Sequence, residues 1–426
     1  MPEPLTPLPH PTGELAAQEP SRAPNTPGRA SLRPTDVPLF SELEEVAPWQ
    51  PPRTAHAPSA GPLQVYEARG RAAFDALALE WDALAARTDD QVFHRHGYLR
   101  CWLDHFAPRA RLRVLTARSA EGRLAGALVL LEQRRRQYGV RVRQLASASN
   151  EHSGRFDMLA EDPEAVGRAF LAHLAQDESW DVLRVTHVYE GGAAWALLPA
   201  SEAAGMPAGV WHSGQSPYVQ LPATLEALAQ EKRKNRKTLR RKRRRLEERG
   251  KVTVDRVDGG EALDLWLEEG FRIERSGWKA KNGTAISQDA RTLGFYTALA
   301  HRAAAEGQLA LYFLKLDGQP IAFQFGLAYG ERYLAMKPGY DEAYADVSPG
   351  QLLTESLIED CVRRGIRELD LLGDDSPSKR EWTERARRHG WLFVFRDSLV
   401  GRTLHSAKFR WAPMARRMVR RWARTH

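Results

Sequence analysis

At 426 residues the chain is too long for one average domain and suits two. A hydrophobic content of 42%, with 12 Trp, 14 Phe and 11 Tyr, is enough to build real cores, yet no apolar run is long enough to span a bilayer. The formal net charge of +8 favours polyanionic or phosphorylated partners, and the two distant cysteines, Cys101 and Cys361, match no metal or redox spacing and read as buried thiols in a reducing compartment.

Residues 1–62 carry 15 of the 26 prolines among Ser, Thr, Ala and Glu, so residues 1–65 read as a disordered leader. The opening MPEPLTPLPHP has neither the basic nor the apolar region of a signal peptide. The expected location is therefore cytoplasmic. Residues 73–87 place Phe74, Leu77, Trp81 and Leu84 at steps of three and four, which predicts a helix, and 96–106 reads as another. RLRVLTAR and GRLAGALVLLEQRRR, joined by a polar turn at Glu121–Gly122, read as a β-hairpin. Strands follow at VRVRQLA and WDVLRVTHV, with a helix over 165–174 between them. Residues 66–225 form a strand-rich α/β domain on this reading.

A second domain, 226–405, opens on a basic helix over 231–249. Its stretch 232–249 holds twelve Lys/Arg, with Leu239 and Leu246 one heptad apart as a thin apolar seam. That helix could bind a nucleic-acid backbone, lie on an anionic membrane, or face solvent beside a site. A strand (KVTVDRV), a helix over EALDLWLEEGFRIERSGW, a helix near 293–305 and a hairpin turning at Asp317-Gly318 come next. The helix GQLLTESLIEDCVRRG and the strands IRELDLL and WLFVFRD complete the domain. The order helices, hairpin, strand, helix, strand occurs in both halves, which indicates an internal duplication. The tail, 406–426, sets Phe409, Trp411, Met414, Met418 and Trp422 among arginines and suits an anionic membrane surface.

Three stretches carry chemistry. Ser348-Pro349-Gly350 opens a helix with Ser348 fitting N-cap and Pro349 fitting N1, and Gly350 leaves backbone N–H groups open to an anion such as a pyrophosphate. An ordinary well-capped helix fits the same residues. Asp370 and Glu368 fall two apart in an apolar strand, hence on one face, where either could act as a general base. Lys379 could contact a phosphate. Trp278 and Tyr340 could wall a substrate cleft, with Lys279 beside them. In the first half, Asn150, Glu151, His152 and Asp157 read as a loop satisfying its own hydrogen bonds.

Taken in order, Asn235-Arg236-Lys237, Trp278-Lys279, Phe295-Tyr296, Gly339-Tyr340-Asp341, Ser348-Pro349-Gly350 and Asp370…Lys379…Trp382 resemble the GNAT-type acyltransferases of the cellulose-biosynthesis-associated group. These are related to the enzymes that add amino acids to peptidoglycan cross-bridges. The resemblance covers about residues 75–400. It implies an α/β (α+β) fold of tandem GNAT-like domains, each a mixed, largely antiparallel sheet flanked by helices. It implies an N-acyltransferase using acyl-CoA, in particular acetyl-CoA, with no metal, acting on an amine of a small-molecule or envelope-precursor acceptor in polysaccharide or envelope biosynthesis. On it, Ser348, Gly350, Gln351 and Lys379 bind the cofactor, Asp370 or Glu368 takes the proton, and Trp278, Lys279, Tyr340 and Trp382 hold substrate. Two other readings stand beside it: a transferase using aminoacyl-tRNA, the one nucleic acid expected, and a non-catalytic assembly or membrane-surface adaptor at the inner membrane.

Overall fold

The computed structural model describes residues 61–230, 236–276 and 285–414. Most of the Pro-rich leader, Trp278, Lys279 and the last twelve residues of the tail lie outside the described residues.

The first half runs β1 (Gln64–Arg69), α1 (Arg71–Ala76), α2 (Ala78–Arg87), α3 (His96–Phe106), β2 (Arg111–Arg118), β3 (Leu124–Gln137) and β4 (Val140–Ser147). It continues through β5 (Leu159–Ala160), α4 (Pro163–Ala175), β6 (Val182–Tyr189), α5 (Leu197–Ala203) and β7 (Ala208–Gln220). The second half runs α6 (Leu225–Gln230), α7 (Arg236–Glu247), β8 (Val252–Val257), α8 (Leu263–Ser276), α9 (Ala290–Ala305), β9 (Leu311–Leu316), β10 (Gln319–Tyr329) and β11 (Arg332–Tyr340). It ends with α10 (Pro349–Arg363), β12 (Glu368–Asp370), α11 (Pro377–Arg380), β13 (Ala386–Phe395) and α12 (Leu399–Ser406).

The helix expected over 73–87 is broken at Leu77, but its apolar face survives: Phe74, Trp81 and Leu84 are buried. Trp81 also donates its indole N–H to the carbonyl of His94, 2.8 Å away. The segment expected as one hairpin is a three-stranded meander, β9–β10–β11. Asp317 and Gly318 both take positive φ (49° and 84°) between the first two strands, the turn whose twist matches paired strands. β3 is buried on both faces from Leu124 to Leu131, which explains its unbroken apolar run.

One continuous sheet results, in the order β1-β2-β3-β4-β6-β13-β7-β12-β11-β10-β9-β8. Read from either edge, it gives the same succession: four antiparallel strands, a parallel step, then an antiparallel strand. The parallel steps are β4 to β6 and β11 to β12, each joined through a crossover helix, α4 and α10 respectively. The last strands of the two halves are exchanged. β13 pairs with β6 of the first half, β7 pairs with β12 of the second, and β7 and β13 pair with each other along the middle. β7 carries no clean alternation (AGVWHSGQSPYVQ); its two backbone ladders, not its side chains, define it. Among the described residues no helix is long and apolar enough to cross a membrane.

Candidate functional site

In each half the parallel strand pair is short. β11 and β12 are registered over three pairs only, Arg332–Glu368, Tyr333–Leu369 and Leu334–Asp370. β11 then runs on from Ala335 to Tyr340 beside β10, while the chain after β12 turns towards β7, Leu371 donating to the carbonyl of Pro217. A wedge opens between them. Along its β11 wall the β10 register slips: Phe325 faces Lys337 and Gly326 faces Ala335, which makes Met336 an extra residue on β11. A bulge of this kind takes one residue out of the ladder and re-aims its backbone groups.

The corresponding place in the first half is filled by its own chain. Phe156 donates its N–H to the carbonyl of His187 on β6 (3.1 Å), and the hydroxyls of Ser147, Ser149 and Thr186 bond to one another. The helix starts differ in the same sense. At α4 the Asp162 carboxylate accepts the N–H of Ala165 and Glu164 stands in the first turn, so the positive end of that helix already faces acid.

At α10 no acidic residue stands in the first turn. Ser348 precedes it, as expected, but in the left-handed region (φ 50°, ψ 62°) and without a side-chain cap, so the expected N-cap bond is not made. Its hydroxyl instead accepts from Lys242 Nζ at 2.6 Å. A Cβ on Gly350 would have one neighbour, Tyr340 Cδ1 at 3.7 Å, so the helix start is open in front of the Tyr340 ring. Gln351 donates to the carbonyl of Ser378 (3.0 Å) and accepts from the indole of Trp382, tying α10 to α11.

Lys242 comes from the basic helix. Leu239 and Leu246 are buried, so the heptad seam seats α7 against the second half. Arg243 reaches Ser356 and Glu355, and Arg245 and Arg249 pair with Asp346. Lys237, Arg240, Arg241 and Arg244 stay exposed.

Beneath the wedge lies an ion-pair network. Asp370 is fully buried; it accepts from Arg155 of the first half, from Arg387 (3.4 Å) and from the N–H of Leu372 (3.0 Å). Glu368 takes both terminal nitrogens of Arg387 at 3.0 and 2.5 Å. The two carboxylates do share a face, and Arg387 bridges them while lying 3.8 Å over the Tyr218 ring. An amine reaching either carboxylate would have to displace a guanidinium. Lys379 is likewise engaged: Nζ donates to the carbonyls of Leu372 and Asp374 (2.7 Å), pinning the loop after β12. The structure thus brings Ser348, Gly350, Gln351, Tyr340, Lys379 and Trp382 around one rim and sets Asp370 and Glu368 below it, in pairs.

Sequence reading named His152 and Tyr296 without bringing them together. The 150–153 loop does satisfy its own bonds, Asn150 N–H to Ser153 Oγ (2.8 Å) and His152 N–H to Asn150 Oδ1 (3.0 Å), but it also crosses to the second half. His152 stacks on Phe106 and its Nδ1 lies 3.4 Å from the Tyr296 hydroxyl on α9. Lys337 of β11 sits 5.7 Å from the Tyr296 ring centre. Burial, then the Lys337 charge, push the His152 imidazole down to about 3, so it is neutral at pH 7. Glu274 of α8, 1% exposed, accepts the N–H of Ile286. A Cβ at Gly339 would fall 2.7 Å from Glu274 Cα, so glycine there lets α8 lie directly on β11.

Residues 233–380 match the family model described as an acetyltransferase (GNAT) domain. No curated protein matches the sequence. Among solved structures, FemX is similar with a TM-score of 0.50 at 12% identity, over 78% of this chain and 98% of that one. The C-terminal domain of a putative lysylphosphatidylglycerol synthetase from Agrobacterium fabrum gives 0.46 at 14%, over 76% and 95%. A tandem GNAT protein from the clavulanic acid biosynthesis pathway gives 0.44 at 14%, over 77% and 98%. The fold is α/β and GNAT-like, occurring twice in one sheet, and the match to the GNAT acetyltransferase domain lies in the second half.

Proposed function

We propose that the chain is an N-acyltransferase that seats an acyl-CoA in the wedge between β11 and β12 and passes the acyl group to an amine. The observation that carries this is the contrast between the two wedges. The second is bordered by a bulged strand and by a helix start with an unblocked glycine and a lysine; the first is filled and fronted by acid.

On this reading the donor pyrophosphate lies at the start of α10, where the N–H of Gly350 has no acceptor within the helix and Lys242 adds positive charge. The donor carbonyl lies along β11, and a backbone N–H at the Met336 bulge stabilises the oxyanion that forms when the amine attacks. The amine gives its proton to Glu274, whose backbone packs on Gly339, and the thiolate leaves with the coenzyme. Asp370 and Glu368 act as the clamp that fixes β12 to the first half and to β13. The acceptor is an amine of an envelope or polysaccharide precursor, as the family resemblance implies.

A second reading, an aminoacyl-tRNA donor, has one observation in its favour: the exposed row Lys237, Arg240, Arg241 and Arg244 on the helix that reaches Ser348. Isothermal titration separates the two. Micromolar acetyl-CoA binding that is lost in Gly350→Glu supports the acyl-CoA reading, and Glu is harmless to a helix start, so the variant stays folded. Failure of acetyl-CoA and coenzyme A to bind the folded wild type, with tRNA bound in a steeply salt-dependent way, replaces that reading with the second.

A further inference from the structure

The end of the described chain is a docked helix with a bare apolar face. Ser398 caps α12 through the N–H of Gly401, and Leu404 and Ala407 are buried beneath it. A π-helical turn, Ala407–Trp411, follows. It is anchored by Lys408, 4.4 Å over Trp211 and 4.2 Å over Phe393, and by Phe409, whose ring fills the space a Cβ on Gly209 would need. His405 bonds to the carbonyl of Ala208. These contacts fix which side faces out.

The outward side carries Leu399 (83% exposed), Val400 (40%), Trp411 (57%) and Met414 (61%). Nine large hydrophobic side chains are exposed among the described residues, and these four lie within sixteen positions of one another. The π turn brings Trp411 round to the Leu399 side. In a plain α-helix the twelve steps from Leu399 to Trp411 would leave the two about 120° apart, and the one extra residue in the turn takes back about 100°. Arg402 and Arg410 are exposed beside them. The sequence beyond continues the spacing, with Met418 and Trp422 after Met414, and with Arg416, Arg417, Arg420, Arg421 and Arg424 between and around them.

We infer that this face docks on an anionic lipid bilayer, the apolar side chains entering the headgroup boundary and the arginines meeting lipid phosphates. Exposed Leu, Trp and Met interleaved with arginine match that surface, whereas a nucleic-acid backbone would make no use of the apolar set. Excess positive charge on the same face opposes self-association. The face stands clear of the wedge. β13 starts level with Pro217, to whose carbonyl Leu371 bonds, and runs ten residues, about 30 Å, before α12 begins.

The test is co-sedimentation of the full chain with vesicles of phosphatidylcholine alone and of an equal mixture with phosphatidylglycerol. The full chain is expected to pellet with the mixed vesicles and not with phosphatidylcholine alone. Leu399→Ser, Trp411→Ser and Met414→Ser combined should weaken that binding about tenfold or more, with an unchanged circular dichroism spectrum, since all three are exposed. Equal pelleting of wild type and triple variant, or none of the wild type, overturns the inference. A concentration-dependent dimer of the wild type that the triple variant loses also overturns it and gives the face to a second copy.

Discussion

Replacing Asp370 by Asn separates two roles for the same carboxylate. Asn keeps the side-chain volume and an oxygen that can accept from Leu372, so the change removes one buried charge and little else. Arg155 is 2% exposed and holds Asp370 and Gln91; with Asp370 neutral it becomes a buried cation without a counter-charge. Breaking a buried pair from one side costs about 3–5 kcal/mol. Urea unfolding of Asp370→Asn should show a loss of that size, with Arg155→Met losing less, because Asp370 keeps Arg387 as a counter-charge. The double variant Arg155→Met with Asp370→Leu removes both charges. Arg387 keeps Glu368, and the Leu372 N–H loses its acceptor, so the double variant should lie within about 2 kcal/mol of wild type. An Asp370→Asn protein that unfolds at the wild-type urea concentration yet transfers no acyl group would refute this reasoning and make Asp370 the base.

Other predictions concern the helix wall, the basic helix and acid stability. Glu274→Gln should leave donor affinity unchanged, because glutamine still accepts the Ile286 N–H, and should slow thiol release from the donor about 10²–10⁴-fold; an unchanged rate removes Glu274 from the mechanism. Leu246→Ala, at a fully buried position, should cost about 2–5 kcal/mol and speed tryptic cleavage within 240–245, whereas a silent change would mean that the seam does not seat α7. His152 and His389 are both pushed down to about 3, by burial first and then by Lys337 and Arg155 respectively. As pH falls below 6.5 the unfolded chain takes up protons that the folded one does not, so stability drops. Asp157, which burial raises to about 6, has the opposite sign and offsets one of the two histidines between pH 4 and 6. From these three groups the net slope there is about 1.4 kcal/mol per pH unit, rising with pH. Stability measured by urea titration that is flat across this window would show that the histidines are charged in the fold.

Much of the scaffold was legible because local pattern and tertiary burial agree. The helix expected over 96–106 spans those residues, the Glu121–Gly122 and Asp317-Gly318 turns join the strands they were expected to join, and Leu239 and Leu246 are the buried seam of the basic helix. β7 was not legible: its Gly, Ser, His and Pro give no period, and only exchange of the terminal strands supplies its two ladders. The same exchange hides the ion-pair network. Asp370 and Glu368 share a strand face as the spacing implied, but their partner Arg155 lies 215 positions away from Asp370 in the other half. Ser348 was legible as the residue before a helix, not as a left-handed one whose hydroxyl serves Lys242. His152 looked like a self-satisfied loop residue because nothing in its neighbourhood of sequence announces Tyr296 or Lys337.

We propose that the wedge between β11 and β12 is the donor site. Hydrogen–deuterium exchange with and without acetyl-CoA tests it most directly. A donor seated there slows exchange in peptides covering 335–340 and 349–352, and leaves the first-half counterparts at 147–153 and 163–166 unchanged. Binding that protects the first-half peptides, or leaves both second-half segments as fast as before, would contradict it.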